Sequence, residues 1–136
     1  MKLKDLQGPH IIRTHIASTG NAASTGGQVV GSAPFRCTVM SVAFIPDAAV
    51  TGATATAATL TLTNRTSAGL GTTAVAAKAF ITGEDMVAFD AEDITVSATA
   101  ANLDLAEGDV LTLDKTVAST GTLIPAGTVE VTVKAR

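Results

Sequence analysis

The sequence predicts an all-β fold, an antiparallel β-sandwich, and three observations predict it. Short stretches alternate apolar and polar residues with period two. Thr and Val, β-branched residues that suit a pleated sheet, fill those stretches. Gly, Pro, Asn or Asp interrupts them roughly every eight to twelve residues, the rhythm of strands joined by turns. No stretch holds a helical repeat.

Residues 1–33 form the first unit, expected as an N-terminal arm and connector. His10–Ile16 is a short strand candidate within it. The uncharged run "IASTGNAASTGGQVVGSA", Ile16–Ala33, follows, and its small residues offer little apolar surface to offset the entropy of ordering a chain. It is expected to be flexible. Residues 17–33 span about 55 Å fully extended and ~23 Å on average as a coil. That reach suffices to contact a neighbouring subunit.

Residues 34–136 form the second unit, the sandwich. "FRCTVMSVAFIP", Phe35–Pro46, reads as a long strand that Pro46-Asp47 ends. The Ala-rich segment Ala53–Ala58 is expected as a loop. "TLTLTN", Thr59–Asn64, alternates strictly, which puts Leu60 and Leu62 on one face. After the turn "TSAGLG", the stretch "TTAVAAKAFI" is a further strand despite its alanines. "DMVAF" and "DITVSA" are shorter candidates. "DVLTLDKTV" and "TVEVTVKA" close the chain; in the latter Val129, Val131 and Val133 share one face while Glu130 and Thr132 share the other. One-faced alternation is what antiparallel sheets with a single buried side require. Seven or eight such strands in about 100 residues match two packed sheets.

Composition narrows the function. With a hydrophobic fraction of 46% but only four Phe and no Trp or Tyr, the core is built from aliphatic side chains. Such a core gains less per residue from burial, and oligomerisation is a natural supplement. The net charge of −3 and the scatter of nine Lys and Arg provide no basic stripe for phosphates, so no nucleic-acid partner is expected. No run is long enough to cross a membrane, and the N-terminus lacks the apolar segment of a signal peptide. The sole cysteine, Cys37, lies in an apolar run and reads as a small buried hydrophobe. Arg36 should point to the opposite face from it.

The acidic residues were candidates for chemistry. Glu107-Gly108-Asp109 precedes an alternating run, and "DLAEGDVLTLDK" lacks the oxygen ligands at alternate positions that a calcium loop needs. Gly108 and Asp109 read instead as the turn that opens a strand. Glu84-Asp85 and Asp90–Asp93 bracket "MVAF" as solvated loops, without the aromatic walls that sugar hydrolysis would want. His10 and His15 both fall in the arm, which leaves no histidine placed for a Ser-His-Asp site. "STGG" and "SAGLG" lack the Lys-Ser/Thr ending of a phosphate loop. Asn64-Arg65-Thr66 matches a glycosylation sequon by spacing alone. The expectation is a protein that is no enzyme and holds no metal, cofactor or small-molecule substrate.

"CTVMSVAFIPDAAVTGATATAATLTLTNRTSAGLGTTAVA", Cys37–Ala76, and "ANLDLAEGDVLTLDKTVASTGTLIPAGTVEVTV", Ala101–Val133, together resemble small β-rich structural proteins of tailed-bacteriophage virions. The resemblance spans most of residues 35–134 and implies a jelly-roll-like sandwich. It further implies a capsid decoration, or cement, protein: a homotrimer on the outer capsid surface that contacts the major capsid protein where its subunits meet, after synthesis in the bacterial host cytoplasm. A trimeric tail-fibre or receptor-binding head is the alternative within the same fold. A carbohydrate-binding module would need the Trp and Tyr that are missing.

For a clasp across capsomers, the arm supplies the expected contact residues: Leu3, Leu6, His10, Ile11, Ile12 and Arg13. Arg13 would pair with carboxylates of the capsid, and Ile11 and Ile12 would add a strand to a neighbouring sheet. The competing expectation makes Ile11–Ile16 the first strand of the sandwich itself. If the arm is separate, deleting residues 1–33 leaves the sandwich folded.

Overall fold

A computed structural model describes residues 8–19 and 25–136. Two antiparallel sheets pack face to face, and no α-helix occurs among the described residues. The strands are β1 (Pro9–Ile16), β2 (Gly26–Ser32), β3 (Cys37–Pro46), β4 (Ala58–Asn64), β5 (Thr73–Ala79), β6 (Glu92–Asp93), β7 (Thr95–Val96), β8 (Asp104–Leu105), β9 (Val110–Val117) and β10 (Gly127–Ala135). The first sheet runs β1-β10-β3-β6, with β8 also paired to β3; the second runs β2-β9-β4-β5-β7. Only β4 and β5 are both consecutive and in one sheet. Every other connection crosses between the sheets, so loops gather at the two ends of the sandwich.

The alternation in the sequence builds the core directly. Leu60 and Leu62 of β4, Leu111 and Leu113 of β9, and Val129, Val131 and Val133 of β10 are all buried, while Glu130 and Thr132 lie on the other face. Phe44 and Phe80 are the largest buried side chains and lose all solvent contact. Roughly 1.5–3 kcal/mol accompanies each such burial. Gly127 lets β10 approach β3 here: a Cβ at this position would stand 2.7 Å from the Phe44 ring and 2.4 Å from the Ile45 carbonyl oxygen. Along β3 the register with β10 shifts by one, and Met40 is the extra residue of the bulge, turned outward and 55% exposed.

The expected boundary between arm and sandwich does not survive as drawn. Within residues 1–33, His10–Ile16 belongs to β1, which pairs along its whole length with β10 from Pro9↔Lys134 to Ile16↔Gly127. Residues 26–32 form β2 and pair with β9. Ile16, Val30 and Ala33 are core residues, at most 3% exposed. The reason is economical: an edge strand needs only one neighbour and a few buried side chains, so a chain poor in large apolar groups still fits there. The hydroxyl of Thr14 donates to the Val30 carbonyl, and the Gln28 amide bridges both backbone groups of Ala17, at 2.8 Å and 2.9 Å. These contacts tie β1 to β2 along one flank. Deletion of residues 1–33 would therefore strip both sheets of an edge and uncover the core, rather than free a dispensable arm.

Two further elements differ from expectation. In "DMVAF" the pattern is strand-like, but only Met86 pairs, in an isolated bridge with Val50. Val87–Asp90 instead turns tightly, with the Asp90 N–H donating to the Val87 carbonyl at 3.1 Å and Phe89 in the left-handed region at φ 64°. "DITVSA" is split: β6 pairs with β3 in one sheet and β7 with β5 in the other, with Ile94 buried between them. This segment closes the flank opposite β1 and β2.

Candidate functional site

The residues around Asp109 form the most elaborate polar arrangement. Gly108, at φ 84°, makes the turn before β9, and its N–H donates to the Ala33 carbonyl at 2.9 Å. Asp109 is 8% exposed. One of its oxygens, Oδ2, accepts from the Asn64 amide at 2.9 Å and from the Ala106 N–H at 3.0 Å. The Asn64 Oδ1 in turn accepts from the Thr66 N–H at 2.7 Å. A carboxylate committed to two donors inside a loop is a structural brace, which agrees with the reading of Glu107-Gly108-Asp109 as a strand opener. The same geometry occupies the sequon asparagine, whose amide nitrogen is buried against Asp109.

Beside this brace, Arg65 binds Thr112 Oγ1 through Nε at 3.0 Å and Asp114 Oδ2 through Nη2 at 2.8 Å. The other Asp114 oxygen is buried without a hydrogen-bond partner among the described residues and lies against Gly27, where a Cβ would overlap it. Toward the other end, Lys115, Leu60 and Lys78 form one cross-strand row facing the interior. Lys78 bonds Glu92 at 2.9 Å and Glu84 at 3.4 Å and lies 5.5 Å over the Phe80 ring. Burial pushes its ammonium down, but the hydrogen bonds and charges of Glu92 and Glu84 more than offset that, so it lies above the ordinary lysine range. Burial alone lowers Lys115, whose ammonium donates to Thr19 Oγ1 at 3.2 Å. Glu92 is thus a pairing partner inside the flank and not the solvated loop residue expected from the sequence.

Among the described residues no three His, Cys, Asp or Glu side chains converge to hold a metal. Cys37 has no solvent contact; burial raises its thiol above the usual range, with the Arg136 charge opposing and the Asp109 charge adding to the shift. Arg36 is exposed, in the bend just before β3.

Of the contact residues expected from the sequence, Leu3 and Leu6 lie outside the described residues. His10 and Ile12 face the sandwich: the His10 ring meets Phe35 edge-on at 4.9 Å, and Ile12 packs on the core. Both are half-buried, because the alternation of a paired strand turns every second side chain inward. Ile11 and Arg13 point outward. Ile11 is 53% exposed, and Arg13 pairs with Glu130 on β10 at 2.9 Å. The outer edge of β1 carries no strand among the described residues, since β10 is its only neighbour.

Apart from Ile11, the exposed large apolar side chains are residues that the sequence reading did not single out. Ile11 and Val29 stand on the two edge strands, Met40 on the bulge, and Leu70, Ile81, Val87, Phe89 and Leu123 on loops. Phe89 was masked in the sequence by sitting in a strand-like run. Comparison of the chain with protein-family models, with curated proteins and with solved structures finds no match in any of the three.

Proposed function

We propose that this chain is a structural virion protein that binds the outer surface of a phage capsid and stabilises it by bridging capsomers. The observation that carries the reading is the placement of its exposed apolar side chains. They stand on strand edges and loop tips, the parts of a sandwich that meet another protein, and not around an enclosed cavity. The outer edge of β1, which carries no strand among the described residues, would offer backbone groups for strand addition to a neighbouring sheet. Strand order supports the jelly-roll form. The set β1-β10-β3 with β6 and β8 faces β2-β9-β4-β5, and neighbours in sequence alternate between sheets except at β4–β5. Two interleaved Greek keys would give such an order.

Decoration asks for many modest contacts. Three linked sites on a homotrimer raise avidity through effective concentration without any single tight contact. The test is reconstitution: the purified chain is added to capsid shells assembled without it, from the major capsid protein of the same genome. Binding at a regular ratio, with a rise in the temperature at which the shells rupture, is the expected result. Shells that neither bind the chain nor gain stability would overturn the proposal, and binding confined to tail structures would favour a fibre head.

A further inference from the structure

Phe89 combines two unfavourable features, a left-handed backbone and an exposed aromatic side chain. Its backbone sits at φ 64°, a region that suits Gly or Asn and is strained for a bulky residue. Its ring is 79% exposed. The other three Phe behave differently: Phe44 and Phe80 are fully buried, and Phe35 packs against the core.

The loop that carries Phe89 is held firmly. The Phe89 N–H donates to the Pro46 carbonyl at 2.8 Å, and Met86 and Val50 exchange two backbone hydrogen bonds at 2.8 Å and 3.0 Å. Met86 is buried, and Asp85 accepts from the Gly52 N–H at 2.8 Å. Val87, 56% exposed, stands two residues before Phe89 in the same turn. An aromatic ring presented on a pinned loop loses little freedom when it docks, which is the property of an interface anchor.

Charge along the segment that carries the ring points to the partner. Residues 81–93, "ITGEDMVAFDAED", contain Glu84, Asp85, Asp90, Glu92 and Asp93 and no base. Lys78 answers Glu84 and Glu92, and Asp47, next to Pro46, carries a further carboxylate paired with the exposed His15 at 3.0 Å. Asp90 directly follows the anchor. We infer that Phe89, flanked by Val87, is the anchor that this protein inserts into an apolar pocket rimmed by Lys or Arg on the capsid surface. This rests on the decoration reading and names the part of the chain that makes the contact. Opposite charge at the rim sets approach and orientation, and ring burial supplies the hold.

The substitutions Phe89→Gly and Phe89→Asn test the inference, because both residues accept the left-handed backbone and neither keeps the ring. Each variant and the wild-type chain are titrated onto capsid shells assembled without this protein, at low and high salt, with thermal unfolding measured in parallel. The expected result is a loss of at least about tenfold in affinity for both variants, with an unchanged or higher unfolding temperature. Wild-type binding should weaken as salt is raised. Equal binding by wild type and both variants would overturn the anchor while the decoration reading stands. Absence of wild-type binding would overturn both. Loss of self-association in the variants, with capsid binding intact, would assign the ring to a second copy of this chain and so overturn the capsid pocket.

Discussion

The two ends of the sandwich handle unfavourable groups differently, although each exposes a large apolar side chain, Leu70 at one and Phe89 at the other. At the end formed by residues 64–71 and 106–109, polar groups turn inward and are satisfied: Asp109 and Asn64 are buried and brace two loop segments to one another. At the end formed by residues 46–57 and 80–91, apolar groups turn outward, and Phe89 holds a strained backbone in full view of solvent. Both arrangements oppose folding when taken alone. Hydrogen bonds within the chain answer the first, whereas Phe89 stays exposed. One end is braced by buried polar groups, and the other presents Val87 and Phe89 to solvent.

The largest predicted effect lies at the closed end. Asp109→Ala strips the Asn64 amide and the Ala106 N–H of their acceptor inside the protein, and should lower stability by about 3 kcal/mol in urea unfolding. Asp90→Ala, at the open end, should change it by no more than about 0.5 kcal/mol. Comparable losses for the two would erase the distinction between the ends.

Gly52→Ala comes next. A Cβ there would stand 2.2 Å from the Ile81 carbonyl oxygen and 2.5 Å from that of Glu84, so the 81–84 turn must move aside. A loss of about 1–3 kcal/mol in the same assay is expected. No loss would mean that the loop is not pinned as described. Phe89→Gly should do the reverse, with no loss and a gain of up to about 1 kcal/mol as the left-handed strain is relieved.

The two lysines of the interior row give a pH signature. Lys115 has a lowered pKa, so in the window below the ordinary lysine value the unfolded chain binds more protons, and stability rises as pH climbs through it. Lys78 has a raised pKa; its contribution is complete below the unfolded value and is lost as pH rises through the folded one. Unfolding measured in alkali should show the first trend reaching its end before the second sets in, and Lys78→Met should abolish only the later decline. The smallest effect concerns Cys37, buried with its thiol raised. Labelling by a thiol reagent in native buffer should be far slower than in denaturant.

The sequence revealed the centre of each sheet better than its margins. β4, β9 and β10 alternate strictly because both of their neighbours and one whole face demand it. Gly108-Asp109 was legible as a strand opener, since a left-handed glycine before an alternating run has few other uses. The edge strands β1 and β2 were less legible, because one paired side and a few buried residues such as Ile16 and Val30 suffice to hold them. Partners distant along the chain left no local trace: Asn64 meets Asp109 across 45 positions. Phe89 was hidden for the opposite reason. Met86, Val87 and Phe89 carry the composition of a strand, and only the hydrogen bond to Pro46 and the turn at Asp90 show that the chain bends there.

The most direct measurement is the number of copies of this chain in purified virions, counted by quantitative mass spectrometry against the major capsid protein. A capsid decoration protein should be present in copies equal to the shell protein or to a simple fraction of it. A handful of copies per particle, or none, would contradict that role.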